Sequence, residues 1–158
     1  MIDVLKKQYA LLQGSREVAL NFIETQVGED LNTPVPAYDN STARYLLVHT
    51  ANAYFQWLER FALNNPLDLL NDQDFTTVDH IRELYLQVDD TMAIFLETFE
   101  GKMEITLNST LSRNRQVSAS PLQLFTHVFT HEFHHKGQIM SMCRLLGHTP
   151  PDTDVIRF

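Results

Sequence analysis

The feature that most constrains this chain lies near its end, where Ser120-Pro121 opens one long stretch of helical periodicity and Gly147 with Pro150-Pro151 closes it. Serine as a cap with proline at the first helical position is a clean start signal, and glycine followed by paired prolines forbids continuation. Inside the stretch runs His127-Val-Phe-Thr-His131-Glu-Phe-His134-His135-Lys-Gly-Gln138, with four of the seven histidines. At about 100° per residue, His131 and His135 stand one turn apart on one side of the helix. That side reads Leu124, Val128, His131, His135, Ile139, Met142 and Leu146, so two imidazoles hold places an ordinary amphipathic helix gives to Leu or Val. Burying two imidazoles is costly unless each ring nitrogen finds a partner. A divalent metal ion satisfies two such nitrogens at once; the alternative is a pair of core histidines bonded to backbone or water.

Three more helices are predicted upstream. Val4, Leu5, Tyr9, Leu12, Val18, Phe22 and Ile23 recur at helical spacing from residue 2 to about 27, with Gly14 a weak point in the pattern. Gly28 to Asn40, with Pro34 and Pro36, reads as a connection too long for a tight helical hairpin, so helices 1 and 2 need not be neighbours. Asn40 or Ser41 caps a second helix over 42–63, with Leu46, His49, Ala53 and Trp57 down one side and Asn52 and Gln56 beside them. Asn64-Asn65-Pro66 ends it. Thr76 or Thr77 caps a third helix over 78–99, with Ile81, Leu84, Val88, Met92, Phe95, Leu96 and Phe99 as its stripe. Residues 102–118 alternate loosely and suit an extended excursion or short hairpin. The expected fold class is all-α, a four-helix bundle filling residues 1–158 as a single domain.

Bulk properties exclude several function classes. A formal charge of -8 with scattered basic residues argues against a nucleic-acid surface. The tightest basic group, Arg113-Asn114-Arg115, reads as a solvated loop. No apolar run approaches the roughly 20 residues of a membrane span, and no charged-then-apolar leader opens the chain, so a cytoplasmic location is expected. The lone Cys143 excludes an internal disulfide.

Two histidines on one helix make half of a metal site. His49 is the best third candidate on height: it lies about 12 Å into helix 2, against about 15 and 21 Å for His131 and His135 in helix 4. If helices 2 and 4 run parallel, the three rings meet near one level. Three histidines with a fourth position left to solvent form an open site of catalytic type. His80 and His148 fit worse, near a helix start and beyond a helix end. His127, one turn before His131, is a candidate acid, base or supporting residue, whereas His134 points about 100° away and suits a flanking role. Phe125, Phe129 and Phe133 suit core or a subunit contact. The run His131-Glu132-Phe-His134-His135 also matches the H-E-x-x-H pattern of zinc proteases, with Glu132 as general base; otherwise Glu132 is a solvent-facing or supporting carboxylate. Ser141 stands where the longer metzincin pattern has its third histidine, and no strong strand is predicted to hold a peptide.

These residues carry a resemblance. His131-x-x-His134-His135-Lys-Gly-Gln-Ile139 resembles the closing motif of the DinB/YfiT-like metalloprotein family, with Lys136 in place of the usual arginine. Leu146-Gly147 and Pro150-Pro151-Asp152 are similar to the tail that follows it, and His49, eight residues before Trp57, looks like the family's first histidine. The resemblance implies a four-helix bundle of unusual order, often a homodimer, with a divalent ion on His49, His131 and His135; imidazole ligands suit zinc, nickel or iron. Some relatives use bacillithiol, mycothiol or glutathione in conjugation and isomerisation while many have no assigned activity, so a low-molecular-weight thiol is a candidate co-substrate. Three outcomes are open: an enzyme activating a thiol or water on a small molecule, a metal-binding or interaction bundle without catalysis, or a purely structural bundle.

Overall fold

The computed structural model of the chain describes residues 1–111 and 115–157. Arg113 and Asn114 of the expected basic loop lie outside the described residues. Four long helices form: α1 (Ile2–Phe22), α2 (Ala43–Tyr54), α3 (Val78–Thr98) and α4 (Pro121–Leu145). Between α3 and α4 stands an antiparallel hairpin of β1 (Leu107–Leu111) and β2 (Arg115–Ala119), with Leu107 opposite Ala119. It occupies the expected extended excursion.

The caps follow the side chains. Thr77 accepts from the backbone N–H of His80, as read from the sequence. Ser120 accepts from Gln123 N while the Gln123 side chain accepts from Ser120 N, a reciprocal box that seals the start of α4. At α2 the cap is Thr42, not Ser41 or Asn40. Asp39 and Asn40 instead take left-handed backbone angles in the turn before it, a conformation Asp and Asn tolerate better than most residues. α1 and α2 each loosen at their C-terminal ends into π-helical turns, Ile23–Val27 and Phe55–Ala62. The helical stretches thus keep their predicted extents, but the later part of helix 2 is wider-wound than the sequence indicated.

Side-chain links between helices give the directions. Tyr9 and Arg16 reach Asp89 while Glu17 and Glu24 reach Arg82, so α1 and α3 are antiparallel. Arg16 meets Glu132, and Asp30 meets His148 beyond both helix ends, so α1 and α4 are parallel. Tyr85 donates to Leu47 O and Thr91 to Glu59, which makes α2 and α3 parallel. On α2 and α4, His49 lies against His135, Tyr54 against Glu132 and Trp57 against His127, an antiparallel order. The parallel arrangement on which the height argument rested is therefore wrong. The rings converge all the same, because the two helices do not begin level: α4 starts beside the π-helical end of helix 2.

α3 and α4 each pack on both α1 and α2, so α1 and α2 stand on one diagonal of the bundle. The long first connection permits this. After helix 2 the chain must return the length of the bundle before α3 begins. Asn52 holds the returning segment, donating to Leu70 O and accepting from Leu70 N, and Arg44 binds Asp72.

One apolar cluster draws on all four helices, with Leu12, Leu58, Leu84, Val88, Met92, Phe95, Val128 and Met142 sealed from solvent. Each such side chain contributes about 1.5–3 kcal/mol by burial. Val4, placed in the predicted stripe of α1, is 59% exposed. Phe125 is core, while Phe129 and Phe133 are partly buried against it. Among the described residues no helix is long and apolar enough to cross a membrane.

The stripe of α4 needs a correction. Leu124, Val128, Ile139 and Met142 are buried as expected, but His131 and His135 lie at the stripe's edge and are only partly covered. Its centre at that height is Glu132, 4% exposed, followed one turn later by buried Lys136. A hydropathy pattern does not nominate a carboxylate or an ammonium for the core, so the sequence reading moved the histidines inward. Glu132 is not solvent-facing, and it is not one of the three converging groups. Its carboxylate lies in the bundle interior, and both its oxygens are taken.

Candidate metal centre

α2 supplies His49, and α4 supplies His131 and His135. One ligand atom from each ring falls within 4.8 Å of the other two, a group that could hold a metal ion. The sequence named these three. The ring centroids of His49 lie 5.1 Å from His131 and 4.8 Å from His135, and those of His131 and His135 are 4.4 Å apart. Helical rise explains the α4 pair: positions i and i+4 stack one turn apart with their rings on one face. The antiparallel register of α2 brings the third.

The nitrogens fit a shared ion. His131 Nε2 and His135 Nε2 are 3.2 Å apart. Two ligands on one tetrahedral zinc at about 2.0–2.1 Å stand about 3.3 Å from each other, so this spacing suits one ion between them. His135 Nδ1 lies 2.6 Å from Gln138 Oε1. An amide oxygen only accepts, so Nδ1 carries the proton and Nε2 of the neutral ring presents its lone pair. His131 Nδ1 is buried with no hydrogen-bond partner, and the ring's one polar contact is through Nε2.

Electrostatics point the same way. Burial pushes His131 down to about 4, helped by the neighbouring His135, His49, His127 and His134, which would repel its positive charge. Burial also lowers His49 and His135, the latter opposed in part by its bond to Gln138. Neutral imidazoles are the form that binds a metal.

The surroundings are graded from wet to aromatic. A cleft of about 760 Å³ reaches His49 and His135, lined by Tyr38, Ser41, Arg44, Tyr45, Asp72 and Gln138 among others. Tyr45 stacks on the His49 ring at 5.9 Å and 13°. On the far side His127 lies 5.7 Å from His131 and meets Trp57 edge-on at 5.1 Å. Burial lowers His127 too, and it stands beside the group without joining it. His134 is exposed and flanks His135 edge-on at 4.9 Å, the flanking role expected of it. His80 is exposed and His148 pairs with Asp30, so neither approaches the cluster.

Glu132 cannot act as a protease base in this arrangement. Oε1 accepts from Arg16 Nε at 2.7 Å, and Oε2 accepts from Arg16 Nη2 at 3.0 Å and from Tyr54 OH at 2.6 Å. The sequence reading assigned no role to Gln138, Tyr45 or Tyr54. Only Gln138 carried a local signal, three residues after His135 and hence on the same helical face.

Comparison with curated proteins finds no match. The model of the DinB family matches residues 1–158. That span takes in every helix and all three converging histidines, and the chain belongs to the DinB family.

Proposed function

We propose that His49, His131 and His135 hold one divalent ion, zinc, nickel or iron, and that the chain is a metal-dependent enzyme acting on a small molecule. The observation that carries this is the opening of the 760 Å³ cleft onto two of the three rings. Structural zinc sites are normally closed by four protein ligands, whereas three ligands and an accessible side mark a site that receives substrate. When bound, such an ion supplies Lewis acidity that lowers the pKa of water or a thiol at its open position.

The chain's own residues prepare the site. Gln138 fixes the His135 tautomer, and burial keeps the rings unprotonated near neutral pH. Tyr45 offers an aromatic wall, with Gln73 as a hydrogen-bonding group along the cleft. His127, neutral and held by Trp57 beside His131, is the candidate to accept or return a proton. Glu132 is committed to Arg16 and Tyr54, which leaves peptide hydrolysis without its general base and favours thiol transfer or small-molecule hydrolysis.

Metal analysis of protein purified without a histidine tag tests the site. About one ion per chain is expected, lost in His131→Ala or His135→Ala and weakened in His49→Ala. Turnover of electrophilic small molecules, with and without added low-molecular-weight thiol, then separates transfer from hydrolysis. Full occupancy with unchanged affinity in His49→Ala would remove that residue from the site.

A further inference from the structure

A polar network in the bundle interior touches all four helices. Arg16 of α1 binds Glu132 of α4 through Nε and Nη2, Asp89 of α3 through Nη1 at 2.6 Å, and Tyr9 through Nη2 at 3.1 Å. Its guanidinium also covers the ring of Tyr85 on α3 at 4.5 Å. Tyr54 of α2, wholly buried, donates to Glu132. Every side-chain oxygen of the central carboxylate is engaged.

The position of this network matters more than its size. Glu132 is the residue after His131, and Tyr54 lies five residues after His49 on the other ligand-bearing helix. The Tyr54–Glu132 bond therefore joins the two ligand-bearing helices beside the triad. Resting on the reading of the triad as a metal site, we infer that Glu132, Tyr54 and Arg16 are positioning residues for that site: they fix the rotation of α4 so that His131 and His135 face His49.

The required precision is small against what a free helix allows. A ring nitrogen stands about 6 Å from its helix axis, so a rotation of about 10° moves it about 1 Å. Metal–ligand distances tolerate about 0.2 Å. Apolar packing specifies volume and pattern and tolerates repacking, so it fixes a single rotation less sharply than directional bonds do. A bidentate ion pair with a third bond to the neighbouring helix has one geometry. The network acts through α4 and touches none of the three rings.

Wild-type, His49→Ala, Tyr54→Phe, Glu132→Gln and Thr91→Val proteins are stripped of metal. Each is titrated with Zn²⁺ against a competing chelator, and with Co²⁺ by its visible absorption, well below its melting temperature. Tyr54→Phe is expected to bind Zn²⁺ about ten-fold more weakly and Glu132→Gln up to about a hundred-fold, the range found for residues that orient ligands. Their Co²⁺ spectra should also change. Thr91→Val loses a buried hydroxyl's bond to Glu59, between α3 and the π-helical end of helix 2, and is expected to melt lower with unchanged Zn²⁺ affinity. Lower melting with unchanged Zn²⁺ affinity and Co²⁺ spectrum in both network variants would overturn the inference and leave the network a matter of stability alone. Should Glu132→Gln fail to fold, Tyr54→Phe, which removes a single oxygen, decides it. A different failure marks the underlying site reading: no stoichiometric Zn²⁺ in the wild type, or His49→Ala binding as tightly, sinks the triad and this inference with it.

Discussion

Replacing Arg16 by Met should be among the most damaging single changes to this fold. The guanidinium is buried and bridges two carboxylates, with two bonds to Glu132 and one to Asp89. Met fills much of the volume but leaves the Glu132 carboxylate, its side chain 5% exposed, with only the Tyr54 hydroxyl. Asp89, 26% exposed at its side chain, can turn to water and keeps Tyr9 as donor. The cost is therefore concentrated on Glu132. Removing one partner of a buried ion pair typically costs about 3–5 kcal/mol, because the other charge stays desolvated. For a chain of this length about 2–4 °C is lost per kcal/mol, so the melting temperature should fall by about 6–20 °C. The Arg16→Met/Glu132→Gln double variant should recover about 1–2 kcal/mol relative to Arg16→Met, since the stranded charge is gone. Thermal unfolding of metal-free protein by circular dichroism at neutral pH measures all three. A loss under about 1 kcal/mol, or a double variant less stable than Arg16→Met, would refute the claim that an uncompensated buried carboxylate sets the cost.

Further outcomes follow from the histidines. In metal-free protein His131 titrates near 4 when folded and near the ordinary 6.5 when unfolded, so the unfolded chain takes up more protons between these values. Its contribution to stability is present above 6.5 and lost as pH falls toward 4; a melting-temperature profile over that window should fall less steeply in His131→Gln, and identical slopes would count against the burial of that ring. In metal-loaded protein, chelator should lower the melting temperature at neutral pH by about 5–10 °C if free metal stood near a hundred times Kd, with the gap closing in acid as the ligands protonate. Gln138→Ala should weaken Zn²⁺ binding about ten-fold by freeing the His135 tautomer, and unchanged affinity would discount that bond. His134→Ala should leave metal content as it is, since its ring flanks the group from outside.

Much of this protein was written locally. Thr77 and Ser120-Pro121 marked two helix starts, and Gly147 marked an end, because capping satisfies backbone groups within a few residues of themselves. His131 and His135 could be paired from spacing alone, because one turn of helix fixes which side chains share a face. His49 could be nominated, but the reason offered, a parallel α2 and α4, failed. Direction and register between helices depend on how the connections run, here through Asn52 holding Leu70 and Arg44 holding Asp72. Tertiary structure alone decided that Glu132 and Lys136 lie inside and the histidines at the edge. A hydropathy pattern treats each side chain as if it faced water alone. The cost of burying Glu132 is offset by Arg16 and Tyr54, brought to it from 116 and 78 residues of sequence separation, while Asp89 holds the other edge of the Arg16 guanidinium from 73 residues away. No local reading contains that compensation, because it exists only once all four helices are packed.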